Sequence, residues 1–147
     1  MTTEILTQIT LPAQPDEVWA ILTDFAAYPD WNPFMIRIEG RCETGATLHV
    51  TLRMPDGKRH AFQPVIMDCT PGQRLAWKGT MGGMSWLFCG IHSFDLKPTT
   101  DGGTELTHRE RFSGLLSAPL LALIRTNVQN SFNAMNHALH KRIQSTA

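Results

Sequence analysis

The chain has 147 residues, 13 Lys and Arg against 13 Asp and Glu, and 42% hydrophobic content, with no apolar run near the roughly 18 residues a membrane span requires. A chain this long buries about 68–70% of its extended surface, so residues 1–147 are expected to form a single domain with one core, unaided by disulfides or metal. Balanced and scattered charge argues against a nucleic-acid binder, which shows a basic stripe, and gives no pull toward anionic lipid.

Met1 to Ile5 carries Glu4 and neither a basic nor an apolar leader segment, so no secretory signal is read and a cytoplasmic location is expected. Cys42, Cys69 and Cys89 are odd in number and far apart in the chain. That suits neither a disulfide framework nor a CxxC metal site.

Ile5, Ile9 and Leu11 alternate as a first strand. Pro15 suits a first helical turn, and Val18, Ile21, Leu22 and Phe25 recur at helical spacing, which predicts a short amphipathic helix. Pro29 and Pro33 are expected to end the helical region, Asn32 to favour a turn, and Tyr28 and Trp31 to plug one end of the molecule. Turn signals then cut the middle of the chain: Glu43-Thr44-Gly45, Pro55-Asp56-Gly57, Pro71-Gly72, Gly82-Gly83 and Asp101-Gly102-Gly103. Between them Phe34, Ile36 and Ile38 alternate with Met35, Arg37 and Glu39, and Leu48, Val50 and Leu52 with Thr47, His49, Thr51 and Arg53. His60–Cys69, Arg74–Thr80, Trp86–Leu96 and Glu105–Phe112 supply four further strands. The short turns predict an antiparallel arrangement.

From Ser117, read as an N-cap with Pro119 just inside, the residues Leu121, Ile124, Val128, Phe132, Met135, Leu139 and Ile143 fall on one helical stripe. A helix from Ser117 to Gln144 spans about 42 Å at 1.5 Å per residue, against a radius of gyration near 15 Å for a domain this size. It must cross the whole molecule, and a twisted sheet has to curl around it. The space between curved sheet and straight rod is then filled by large side chains or left as a cavity.

Two stretches carry a family resemblance: Asp24-Phe25-Ala26-Ala27-Tyr28-Pro29-Asp30-Trp31-Asn32-Pro33-Phe34, and His92-Ser93-Phe94-Asp95-Leu96-Lys97-Pro98 followed by Gly103-Thr104-Glu105-Leu106-Thr107-His108-Arg109-Glu110-Arg111-Phe112-Ser113-Gly114. With the order of elements, they resemble the START-like superfamily, also called SRPBCC or helix-grip, and within it the polyketide cyclase/dehydrase and lipid-transport group. The resemblance covers nearly the whole chain. It implies an α+β fold in which a curved, seven-stranded antiparallel sheet wraps a long C-terminal helix, with one or two short helices after the first strand. It also implies a deep, mainly apolar pocket between sheet and helix. The superfamily includes lipid carriers, cyclases, hormone receptors, chaperone activators and coenzyme Q-binding proteins, with no common catalytic set, so the resemblance names no ligand.

If Asp101-Gly102 turns a hairpin with Leu96 opposite Leu106, pairing runs Phe94 with His108, His92 with Glu110, and Gly90 with Phe112, all on one face. Phe88, Phe94, Leu96, Leu106 and Phe112 make that face the concave one. Cross-strand Cβ atoms about 4.5–5.5 Å apart allow His92 and Glu110 to hydrogen-bond, and a carboxylate in an apolar cavity needs such a partner. The pair is read three ways: a self-satisfied polar pair, an anchor for a polar ligand group, or an acid and base. A one-residue slip would send Arg109 and Arg111 inward instead. Trp77 is expected on the inner face, as cavity wall or core. Arg125 sits at the edge of the helical stripe, where it either meets an anionic ligand group or snorkels to water. The ligand-lining set is therefore Trp77, Phe88, His92, Phe94, His108, Glu110 and Phe112 from strands, with Arg125, Val128, Phe132 and Met135 from the helix.

His137 and His140 share a helix at i, i+3 but lie off the apolar stripe, so no metal site is read. Leu115, Leu116, Leu120 and Leu123 crowd the start of the long helix, where the Gly83–Leu87 loop covers them or they form a patch that guides ligand entry, touches a membrane surface or supports a weak homodimer. Gly82-Gly83 between Met81 and Met84 has the make-up of a cavity gate.

No GxSxG elbow, HExxH helix, P-loop or dinucleotide fingerprint is present, so no cofactor is expected and no catalytic residue is assigned. The leading expectation is a binder or carrier of a small hydrophobic molecule, with no nucleic-acid partner and no integral membrane association. Its rivals are a cyclase, dehydratase or hydrolase using His92, His108 and Glu110 for proton transfer, and a protein-interaction module of the chaperone-activator type.

Overall fold

In the computed structural model, which describes residues 3–146, the elements run β1 (Thr3–Leu11), α1 (Pro15–Thr23), a 3-10 turn (Phe25–Ala27), α2 (Tyr28–Trp31), β2 (Met35–Glu39), β3 (His49–Arg53), β4 (Arg59–Phe62), β5 (Val65–Thr70), β6 (Arg74–Thr80), β7 (Cys89–Pro98), β8 (Thr104–Ser113) and α3 (Ser117–Thr146). There are eight strands where the turn signals predict seven. Pro64 has no N–H for a ladder, and it separates β4 from β5 inside the stretch expected to be one strand, His60–Cys69.

The break sends the two halves to different sheets, one ordered β1-β8-β7-β6-β5 and the other β2-β3-β4, with every pairing antiparallel. Residues 45–48 stitch them together. Leu48 N–H donates to Pro64 O at 2.8 Å, Ile66 N–H to Ala46 O at 2.9 Å and Gly45 N–H to Ile66 O at 2.8 Å. The outcome is a curved antiparallel arrangement in which the two sheets meet at this corner.

The 30-residue α3, roughly 45 Å long, packs mainly on β1 and β8. Of the expected stripe, Leu121, Val128, Phe132, Met135, Leu139 and Ile143 are buried and Ile124 is half-buried, while Ser131 and Asn136 join them as buried polar members. Ser117 does not act as a capping acceptor: its hydroxyl donates to Gly114 O at 2.8 Å.

Three local expectations also change. Pro29 sits in the first turn of α2 rather than ending a helix, as its missing N–H permits. A bulge between Met35 and Arg37 breaks the alternation of β2, so Met35 and Ile38 are the buried pair and Ile36 is only half-buried. Trp86 to Phe88 precede β7, in a chain of tight turns where Leu87 N–H and Phe88 N–H both donate to Met84 O.

The end plug forms as read. Tyr28 is fully buried, its hydroxyl donates to Leu22 O at 2.6 Å, and Trp31 meets it edge-on at 5.1 Å. Burial pushes the Tyr28 phenol pKa far above its ordinary value. Asn32 Oδ1 accepts from the N–H groups of Phe34 and Met35, both at 2.9 Å, and so sets the entry into β2.

Candidate functional site

The β7–β8 turn fixes everything that follows. Asp101 accepts hydrogen bonds from Thr99 Oγ1 and from Gly103 N–H, bonds that hold its carboxyl below the ordinary carboxylate range, and Gly102 takes φ +86°. The resulting register pairs Leu96 with Leu106, Phe94 with His108, His92 with Glu110 and Gly90 with Phe112. Neighbouring strands extend these pairs into rows on the concave face: Trp77, His92, Glu110, Ile5; then Leu75, Phe94, His108, Thr7. A third row holds Gly79 and Gly90 side by side, followed by Phe112.

Within the first two rows a continuous hydrogen-bond chain runs from the cavity to α3. Glu110 Oε1 lies 2.8 Å from His92 Nδ1, His92 Nε2 lies 2.7 Å from His108 Nε2, and His108 Nδ1 lies 2.8 Å from Asn136 Oδ1. Asn136 Nδ2 donates to Thr7 Oγ1 at 2.9 Å, and Thr7 donates in turn to His108 O at 3.3 Å. That orientation of the amide sets the remaining donors. His108 carries its proton on Nδ1, its Nε2 accepts, and His92 Nε2–H donates to it. One proton is then left between His92 Nδ1 and Glu110.

Burial holds His108 neutral. Its pKa lies well below the ordinary 6.5, first because the site excludes water and next because His92 stands beside it, against an opposing hydrogen bond to Asn136. Stacking locks both rings: Phe132 lies parallel to His108 at 4.1 Å, and Trp77 parallel to His92 at 5.2 Å.

Glu110 and His92 close one end of a cavity of about 290 Å³. Its other walls are Leu52 of β3, Phe62 of β4, Trp77, Gly79 and Thr80 of β6, Met81, Phe88 and Gly90. Among these, only Glu110 and His92 are titratable. Gly79 and Gly90 make the hollow: a Cβ on Gly79 would touch Phe62 at 3.6 Å, and one on Gly90 would lie 2.9 Å from Glu110 Oε2. With Oε1 committed to His92, Oε2 is the carboxyl atom turned over the glycine floor.

The cavity thus lies between the two sheets and the Met81–Phe88 segment, beside the trough under α3 rather than in it. The trough itself is filled. Phe94, His108 and Phe132 are fully buried, and Phe112, Val128 and Met135 are buried around them. Of the residues anticipated from the sequence, Trp77, Phe88, His92 and Glu110 line the cavity, and Arg125 is exposed on α3 with Nη1 donating to Glu4 O at 3.2 Å. Leu52, Phe62, Thr80, Thr7 and Asn136 were not anticipated. Their one sequence signal is Asn136 lying between Met135 and Leu139 on the apolar stripe.

Leu115 and Leu123 remain 74% and 82% exposed and Trp86 63%, so the loop does not cover them. Instead Leu115 N–H and Leu116 N–H donate to Trp86 O and Leu87 O, tying the start of α3 to the loop that roofs the cavity. Among the described residues no group of three His, Cys, Asp or Glu is placed to hold a metal ion, and no helix is long and apolar enough to cross a membrane. Cys42 and Cys69, far apart in sequence, meet with their sulfurs 2.7 Å apart as free thiols, and Cys69 Sγ also reaches Cys42 O at 3.1 Å.

The sequence model described as polyketide cyclase / dehydrase and lipid transport matches residues 2–144. No curated protein matches the sequence. Among solved structures, a START superfamily protein from Mycobacterium smegmatis is similar with TM-score 0.78 at 16% identity, covering 98% of this chain and 99% of that one. Norcoclaurine synthase from Thalictrum flavum, in complex with dopamine and hydroxybenzaldehyde, gives 0.74 at 13%, covering 100% and 89%. The di-domain ARO/CYC BexL from the BE-7585A biosynthetic pathway gives 0.75 at 17%, and although 95% of this chain is covered, it spans only 49% of that protein.

Proposed function

The chain belongs to the polyketide cyclase/dehydrase and lipid-transport family, and from that premise and the site geometry we propose that it binds a small, mainly apolar molecule in the cavity between its sheets. One polar group of the ligand is held by Glu110 and His92. The carrying observation is the make-up of the cavity: apolar walls around a single carboxyl whose second oxygen faces the void. A few placed polar groups in an apolar concavity are the usual composition of a small-molecule site. Glu110 Oε2 is placed to accept a hydrogen bond from a ligand hydroxyl, whereas an anionic ligand group would bury a further charge against the carboxyl.

The test uses the neutral dye N-phenylnaphthylamine, alongside native mass spectrometry and solvent extraction of freshly purified protein. Saturable one-to-one dye binding that is lost in Gly79→Leu, whose side chain fills the floor, supports the proposal. Dye binding unchanged by that substitution, or absent together with any extractable ligand, overturns it.

A second reading, acid–base catalysis on a bound polyketide-like or aromatic substrate, is favoured by one observation. The Thr7–Asn136–His108 chain orients His92 and leaves a single transferable proton between His92 and Glu110. Named neighbours of this fold include a norcoclaurine synthase and a di-domain ARO/CYC. Glu110→Gln separates the readings: a binder keeps ligand affinity within a few-fold, whereas an enzyme keeps binding and loses turnover by about 10²-fold or more.

A further inference from the structure

Spacing in the sequence offers Cys42 and Cys69 no partner, yet the fold brings them together across the join between the two sheets. Cys42 stands in the tight turn that follows β2, where Glu43 N–H donates to Arg41 O at 2.9 Å and Ala46 N–H to Glu43 O at 3.0 Å. Residues 45–48, which stitch the sheets at this corner, come directly after that turn. Cys69 stands on β5, opposite Leu75 of β6. Each cysteine thus has its backbone held by its own element.

The two side chains point at each other. Their sulfurs lie 2.7 Å apart, and Cys69 Sγ also reaches Cys42 O at 3.1 Å, a second contact that holds its side chain in this direction. A disulfide bond is about 2.05 Å long, so closing it asks for a movement well below about 1 Å. Both residues are half-buried rather than sealed in the core, whereas the third thiol, Cys89 at the start of β7, is buried.

Burial, and then the hydrogen bond to Cys69, keep Cys42 a thiol well above neutral pH. Cys69 is therefore the attacking sulfur. Its thiolate displaces hydroxide from a peroxide and becomes a sulfenic acid. The Cys42 sulfur then attacks the sulfenic sulfur, and the Cys42 proton leaves with the departing hydroxide as water. Two thiols and one hydrogen peroxide become one disulfide and two waters; the thiols are oxidised and the peroxide is reduced.

We infer that Cys42 and Cys69 form a redox-responsive pair, which a peroxide converts into a disulfide joining the β2–β3 connection to β5. The bond closes a ring of chain that contains β3 and β4, whose Leu52 and Phe62 wall the inner cavity, and it fastens the three-stranded sheet to the five-stranded one. None of this depends on what the inner cavity holds.

The experiment treats the intact, reduced protein with hydrogen peroxide, blocks the remaining free thiols, and digests it for mass spectrometry. The expected product is a peptide cross-linked between Cys42 and Cys69, lighter than its two parts by two hydrogens, with Cys89 still free. The oxidised protein unfolds at a urea concentration higher by about 1–2 M, because the bond constrains two positions 27 residues apart in the unfolded chain. Dithiothreitol restores the original midpoint. In Cys42→Ser, which removes the second thiol and keeps a side chain of similar size, the reaction stops at Cys69 and adds one or more oxygens there. Four results overturn the inference: no reaction at Cys69, oxygen added to either cysteine of the native protein without a cross-link, cross-links shared with Cys89, or an oxidised protein that unfolds at the same or lower urea.

Discussion

Gly79 and Gly90 face each other across β6 and β7 on the concave side of the sheet, between the Trp77–His92 pair and the loop that roofs the cavity. Any side chain at either position would enter the hollow. The two differ in what they would meet: Phe62 at an ordinary 3.6 Å from a Cβ on Gly79, but the Glu110 carboxyl at 2.9 Å from one on Gly90. Both have backbone angles open to other residues, so the glycines are required by space and not by turn geometry.

Gly79→Ala and Gly90→Ala should therefore separate volume from chemistry. Both proteins fold, since neither position lies at positive φ. Gly79→Ala trims the cavity by one methyl and weakens an apolar ligand by a few-fold, in line with about 0.8 kcal/mol per buried CH₂ group. Gly90→Ala pushes the Glu110 carboxyl aside and strains its bond to His92. A ligand with a hydroxyl is then weakened by about tenfold or more, while its hydrocarbon analogue suffers no more than in Gly79→Ala. Calorimetric titration of the two ligands against both variants reads the difference. Equal losses for both ligands in Gly90→Ala would remove Glu110 from the polar anchor.

Asn136 connects helix to sheet through side chains alone, taking the Nδ1–H of His108 and donating to Thr7. In Asn136→Leu the His108 Nδ1–H stays buried without an acceptor, and Thr7 keeps only the bond it donates to His108 O. A loss of about 2–4 kcal/mol is expected in urea unfolding, from one or two unpaired buried groups. Asn133→Leu, on an exposed turn of the same helix, is the control and changes stability little. If both substitutions cost the same, the chain has no structural weight.

How much of this was legible in the sequence depends on the range of the interaction. The β7–β8 register was legible because the Asp101-Gly102 turn and the alternation of polar and apolar residues act within about 20 residues, and a slip would have turned Arg109 and Arg111 inward. So His92 opposite Glu110 could be read directly. Thr7 and Asn136 are 129 residues apart, and nothing local says that they touch. Pro64 was visible, but within an otherwise strand-like run its effect depends on two sheets parting at that point. The cavity's position is not legible for a related reason: whether Phe94, His108 and Phe132 fill the trough under α3 is decided by how those side chains pack, and the stripe alone does not show this.

His108 makes stability depend on pH in one direction. The native chain keeps this imidazole neutral, whereas the unfolded chain protonates it near its ordinary 6.5. Below that pH the unfolded state binds a proton that the native state refuses. Stability therefore falls with acidification, by about 1.4 kcal/mol per pH unit for this one group, and the contribution vanishes above it, where neither state binds the proton. His108→Gln keeps a side chain able to accept from His92 and removes the titration. Urea unfolding between about pH 5 and pH 7.5 should give a shallower acid limb in the variant than in the wild type, by one proton. Parallel curves would mean that the native state protonates His108 freely.

The Cys42–Cys69 contact sets chemical reactivity in the same way. Burial, then the hydrogen bond to Cys69, then its neighbouring charge push the Cys42 thiol from an ordinary 9.0 up to about 12. Only the thiolate attacks an alkylating reagent, so near neutral pH this shift lowers the reactive fraction by about 10³-fold. Iodoacetamide should label Cys42 of the native protein that much more slowly than the unfolded chain, as measured by mass spectrometry of the digested protein. Cys69→Ala removes the hydrogen bond and the neighbouring charge but not the burial, so labelling at Cys42 speeds up without reaching the unfolded rate. If labelling is equally slow in that variant, burial alone protects the thiol. Labelling in the wild type as fast as in the unfolded chain would show that the two sulfurs do not hold each other in solution.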